Sequence, residues 1–198
     1  MTGGPDRAYG GPVTILSSAL LSPPVADRPL DGARLNGLRA GVLGANDGIV
    51  SVAAIVVGVA GANPGRTGVL TAGIAGLVAG ALSMAAGEYV SVSSQRDAER
   101  AGKVADDELT NPWHAAVASL GAFLLGGFVP LLVALLPWHG AVVPAVFVAV
   151  LAALALTGAV SARIGGAHVA RAVRRNLVGG SVAMVVTYGI GTLVGLAL

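Results

Sequence analysis

Apolar residues run through this chain in five long, nearly unbroken blocks, at roughly 40–61, 68–93, 114–136, 141–162 and 176–197. Each is at or above the ~20 residues an α-helix needs to cross the hydrocarbon core of a bilayer. The connections carry helix breakers: Asn63-Pro64-Gly65, Asn111-Pro112, Pro137 and Gly165-Gly166. A transmembrane barrel would instead alternate apolar and polar positions over strands of about ten residues, and no such run occurs. The pattern predicts an all-α integral membrane protein with a five-helix domain over residues 39–198. Residues 1–38 read differently, because Pro5, Pro12, Pro23, Pro24 and Pro29 crowd them and their one apolar patch, Val13–Leu21, is too short to span. We expect a disordered cytoplasmic tail there, with a short interfacial helix at Val13–Leu21 as the alternative, and no cleavable signal peptide.

Composition removes other classes. Of 198 residues, 55% are hydrophobic and 11% charged, and the mean hydropathy is +0.79; a soluble domain carries about 25% charged residues. A net charge of +2 is too small to draw nucleic acid, so no such partner is expected. Without cysteine the chain has no disulfide, thiolate zinc site or thiol nucleophile. The placement of charge says more than its sum. Arg7, Arg28, Arg34 and Arg39 precede the first block, Arg96, Arg100 and Lys103 follow the second, and Arg163, Arg171, Arg174 and Arg175 follow the fourth. Only Arg66, of the 12 basic residues, falls on the opposite side. The positive-inside rule then puts the N-terminus and both basic connections in the cytoplasm, and the C-terminus outside.

Eight of the ten acidic residues lie in the tail or the 95–112 connection, while Asp47 and Glu88 fall inside spans. An ionisable group at membrane depth costs at least about 2–3 kcal/mol and by default marks a site or a pathway. The bland alternative is a pair of solvated residues near the cytoplasmic end. At a rise of about 1.5 Å per residue, Asp47 lies ~10 Å deep, Glu88 ~7 Å and Met84 ~13 Å, so the three share one layer of two antiparallel helices. Steps of three and four align Gly44, Asp47, Ser51, Ala54 and Gly58 on one stripe. They align Gly80, Met84, Glu88 (with Gly87), Ser91 and Gln95 on another. Small and polar stripes suit a lined path or a close helix contact. We expect a homodimer, with Gly44, Gly48 and Gly58 at a contact between the first spans of two copies.

Carboxylates alone suit hard cations, whereas a thioether is a soft ligand. Asp47, Glu88 and Met84 together favour ferrous iron, with manganese, cobalt and zinc as further candidates. A lone methionine is ordinarily core, so Met84 gains weight only from Glu88 and Asp47. His114, His139 and His168 fall at span ends or in a connection and read as interface residues. No Ser/His/Asp set, phosphate loop or histidine-rich metal centre converges, so neither an enzyme nor a bound cofactor is expected.

The same residues carry a likeness. GANDGIVS (Gly44 to Ser51) and ALSMAAGEYVSVSSQRD (Ala81 to Asp97) resemble signatures of the vacuolar iron transporter family. TNPWHAA (Thr110 to Ala116) and VTYGIG (Val186 to Gly191) are similar to parts of its later spans. The resemblance covers about 39–197. It implies a dimeric, proton-coupled, five-helix carrier that moves ferrous iron, and often manganese, out of the cytosol. It also implies a path lined by Asp47, Met84 and Glu88; Asn46, Ser51, Gly87 and Glu99 are further candidate site residues. Typical iron-storing members insert a long glutamate-rich helical domain between spans two and three. Here that connection is only about Gln95–Pro112, as in the short, nodulin-like branch, and its acids Asp97, Glu99, Asp106, Asp107 and Glu108 could recruit a cation or be simply solvated. A membrane scaffold or assembly protein that does not transport is the alternative function. Eleven arginines against one lysine hint at a GC-rich bacterium and its cell membrane, rather than the vacuolar-type membrane of a eukaryote.

Overall fold

The computed structural model describes residues 32–197 apart from Asp107 and His139. The tail before residue 32, including Val13–Leu21, lies outside the described residues, as do the readings made for Asp107 and His139. Five helices follow one another: α1 Gly32–Gly61, α2 Gly65–Ala101, α3 Pro112–Leu135, α4 Val142–Ile164 and α5 Val169–Ala197. All five are long and apolar enough to cross a membrane, and no strand occurs among the described residues. The β-branched run Ile49–Val59 would favour strand in water. In hydrocarbon every backbone N–H and C=O must be satisfied within its own segment, and helix is then the solution for a single span.

Helix α1 is the axis of the bundle and packs against each of the other four. Its Ile49, Val52, Ala53, Val56 and Val57 are almost wholly enclosed by Leu77 and Ala81 of α2, Phe123 and Leu131 of α3, Val146, Val150 and Leu154 of α4 and Met184 of α5. The outer helices turn exposed apolar residues outward, among them Leu82, Leu125, Val148, Leu156 and Leu193. The closest approaches use glycine. A Cβ on Gly48 would lie 2.9 Å from the Phe123 carbonyl carbon, and one on Gly191 would lie 2.7 Å from that of Gly58. This corrects one expectation: Gly44, Gly48 and Gly58 seat α3 and α5 of the same chain, so they are not free for a contact between copies.

Two boundaries differ from the sequence reading. Helix α1 begins at Gly32, within the stretch read as tail. Helix α2 runs 37 residues to Ala101, about 55 Å against a hydrocarbon thickness of ~30 Å. Its last two turns therefore stand beyond the apolar stretch as helix, where a loop was expected. Gln95, Arg96, Ala98, Glu99 and Arg100 are good helix formers, and Gln95 Nε2 donates to Glu99 Oε1 at 2.9 Å one turn on. Nothing in that stretch breaks the helix before Gly102.

The helix ends explain several motif residues as architecture. Asn111 caps α3, its Oδ1 accepting from the backbone N–H groups of Trp113 at 3.0 Å and His114 at 3.2 Å. Pro112, at the first helical position, has no N–H to leave unpaired. Trp113 tilts against Tyr89 of α2 with ring centroids 4.9 Å apart, and Trp138 follows the far end of α3. Such rings favour bilayer interfaces. Arg66, in the first turn of α2, donates to the Leu135 carbonyl at the C-terminus of α3, where the helix dipole favours a cation.

Candidate functional site

Between α1 and α2 lies a groove of about 440 Å³, backed by Phe123 of α3. Asp47 and Ser51 line it from α1, and Met84, Gly87 and Glu88 line it from α2. Five of the seven candidate residues thus come together. Gly76 and Gly80 keep the groove open: a Cβ on Gly80 would lie 2.9 Å from a Phe123 ring carbon. Ser51 Oγ donates to Asp47 Oδ1 at 2.9 Å, one turn along the same helix. That bond orients the carboxylate and leaves Oδ2 for another partner.

Glu88 is the more enclosed acid, only 6% exposed, and Arg39 Nη2 of α1 donates to its Oε1 at 2.7 Å. A buried carboxylate is tolerated when it is paired and hydrogen-bonded. Arg39, one of the charges that set topology, was not expected at this site. Its spacing from Leu43 and Asp47, four and eight residues, was the available signal, because such positions follow one another along a helix face.

The other two candidates stand elsewhere. Asn46 lines a separate groove of about 540 Å³ between α1, α4 and α5, with Arg39, Ser161, Arg175 and Asn176. Consecutive helical residues diverge by about 100°, so a neighbour of Asp47 in sequence faces another way. The Asn46 Oδ1 is buried there and has no partner among the described residues. Glu99 accepts from Gln95 through Oε1 and from the Thr110 N–H (2.8 Å) and hydroxyl (3.0 Å) through Oε2. It ties the protruding end of α2 to the start of α3. The Thr110 N–H foremost, with Gln95 and the Thr110 hydroxyl, holds this carboxyl, outside the apolar stretch, below the ordinary glutamate range.

The donor set is sparse. No group of three or more His, Cys, Asp or Glu gathers among the described residues. What converges is two carboxylates, one thioether and the hydroxyls of Ser51 and Ser83, the latter not singled out from the sequence. Two carboxylates balance the charge of one divalent cation, and so few protein ligands leave room for water or exchange. A resident structural ion is ordinarily held by a fuller set.

Comparison with known proteins agrees with this architecture. The family model described as VIT family matches residues 38–109 and 102–192. Over 189 residues the chain is 50% identical to "Vacuolar iron transporter homolog 1" of Oryza sativa subsp. japonica, covering 85% of this chain and 81% of that one. It is 44% identical over 172 residues to "Vacuolar iron transporter homolog 2" of the same plant, covering 80% and 90%. It is 45% identical over 170 residues to "Vacuolar iron transporter homolog 3" of Arabidopsis thaliana, covering 82% and 85%. All three names are those of transporter homologues, and none is that of an enzyme. By a family match spanning most of its length and by relatives this similar, the chain belongs to the VIT family.

Proposed function

We propose that this protein moves a divalent transition-metal ion out of the cytosol in exchange for protons, along a path lined by α1 and α2. Ferrous iron is the leading substrate and manganese a second. The observation that carries this reading is the convergence of Asp47, Met84 and Glu88 on one groove. The names of the relatives, all vacuolar iron transporter homologues, support the choice of iron. A carboxylate at membrane depth can be neutralised by a proton or by a cation. Alternating between the two is what antiport requires. The arginine bias favours the cell membrane as the site of action, and export from the cytosol keeps the same sense in a vacuolar-type membrane.

The test is uptake of Fe²⁺, Mn²⁺ and Mg²⁺ by proteoliposomes with an imposed pH gradient, for wild type and Met84→Leu. Wild type should accumulate Fe²⁺ only when the gradient is present. The leucine keeps volume and apolarity, so stability should change by less than about 1.5 kcal/mol. Flux of Fe²⁺ should fall more than that of Mg²⁺, because only the softer ion gains from the thioether. Gradient-independent metal flux would overturn the proton coupling, and no accumulation of any metal would leave the scaffold reading in its place. An unchanged ratio of Fe²⁺ to Mg²⁺ would return Met84 to packing alone.

We further propose that the working unit is a homodimer. Leu43, 44% exposed, lines the groove at its open side, and a second copy would close a face that a single bundle leaves open. The cysteine-free chain allows Leu43→Cys or Ile55→Cys to report directly. Either should give disulfide-linked dimers under mild oxidation in membranes. Monomers that persist while still transporting would exclude the dimer.

A further inference from the structure

We propose that Arg39 is a tethered cation that occupies Glu88 while no metal is bound, so that an arriving divalent ion loads by displacing the guanidinium. This rests on the metal-groove reading above and adds to it a competitor built into the chain.

The ion pair is asymmetric. Glu88 is 6% exposed, whereas Arg39 is 50% exposed. Separation would leave the guanidinium in contact with water but would strand the carboxylate, which needs a positive partner to remain charged inside the bundle. Among the described residues, no cationic side chain lines the groove itself. Arg39 fills that role at 2.7 Å, and a divalent ion between Asp47 and Glu88 would fill it instead. The charges do not allow both at full strength. Asp47 and Glu88 carry two negative charges, which one divalent ion balances, leaving none for the guanidinium.

The displaced side chain has a place to go. Arg39 lines the second groove, between α1, α4 and α5, with the Ser161 side chain and the Asn46 Oδ1, which has no partner among the described residues, as acceptors. Leu43, one turn after Arg39, lines both grooves. Arg175 lines the second groove as well, so two like charges would share it, and the guanidinium would return to Glu88 once the metal leaves. A purely structural ion pair joining α1 to α2 would make no such exchange.

The exchange is tested by moving the charge without moving the helix. In this cysteine-free chain, Arg39→Cys gives one addressable thiol. Aminoethyl methanethiosulfonate restores an ammonium there, while the methyl reagent leaves it neutral. Anaerobic Fe²⁺ binding to purified protein is measured by calorimetry, with maximal flux measured separately. The neutral forms should bind Fe²⁺ about tenfold more tightly than wild type, a competitive coupling of ordinary size, and the ammonium form should return towards wild type. The neutral forms should also show lower maximal flux, because the metal leaves with nothing to replace it. Arg39→Lys, which keeps charge but not the planar fork, should fall between and serves if Arg39→Cys does not fold. Equal affinity in all forms, or weakening that ignores the restored charge, overturns the exchange. Glu88→Gln separates the two readings. If it loses Fe²⁺ binding while the Arg39 forms are alike, the metal groove stands and the exchange falls; if it binds as wild type, both fall.

Discussion

Asp47→Asn is expected to abolish metal flux while leaving the bundle folded. Asparagine keeps the volume, and its carbonyl can still accept the Ser51 hydroxyl that now donates to Asp47 Oδ1 at 2.9 Å. Stability should therefore shift by no more than about 1 kcal/mol. What disappears is the charge, and with it both the stronger ligand and the group that a proton can occupy when the metal has gone. Loss of a group that merely supports a metal ligand costs about 10–100-fold, so removing the ligand charge itself should exceed ~100-fold. Proteoliposome uptake beside thermal unfolding of the detergent-solubilised protein measures both quantities. A well-folded Asp47→Asn variant with wild-type flux would falsify the assignment.

The second large effect concerns folding. Gly48→Ala should cost at least about 3 kcal/mol, since overpacking a tight contact costs 1–3 and more where backbone must move. The new methyl would meet the main chain of Phe123, with its Cα and carbonyl carbon both at 2.9 Å. No rotamer relieves a backbone clash, so α1 and α3 would have to separate, and α1 touches every other helix. For a chain of this size that loss lowers the melting temperature by roughly 6–12 °C. Gly41→Ala is the internal control. It lies on the same helix with nothing within 4 Å of its Cβ position, and it should be neutral or gain up to about 1 kcal/mol of helix propensity. If the two variants melt together, close α1–α3 packing is not what Gly48 provides.

Much of this molecule could be read before any coordinates. Five apolar blocks separated by Asn-Pro, Pro-Gly and Gly-Gly breakers dictate five helices, because lipid leaves an isolated span no other way to satisfy its backbone. Asp47 and Glu88 announced themselves by cost, being the two acids inside apolar segments, and depth counting put Met84 at their level. Those are one-dimensional properties: hydropathy, charge and rise per residue. Tertiary structure decided which faces meet. It turned Asn46 away from its neighbour Asp47 into another groove, and used Gly48 for α3 and Gly58 for α5 where a second copy was expected. It closed Glu99 onto Thr110 and brought Arg39, 49 residues away, onto Glu88. A small residue or a charge has the same composition whichever helix it faces; its partner is set by the rotation and crossing of packed helices, which no local pattern encodes.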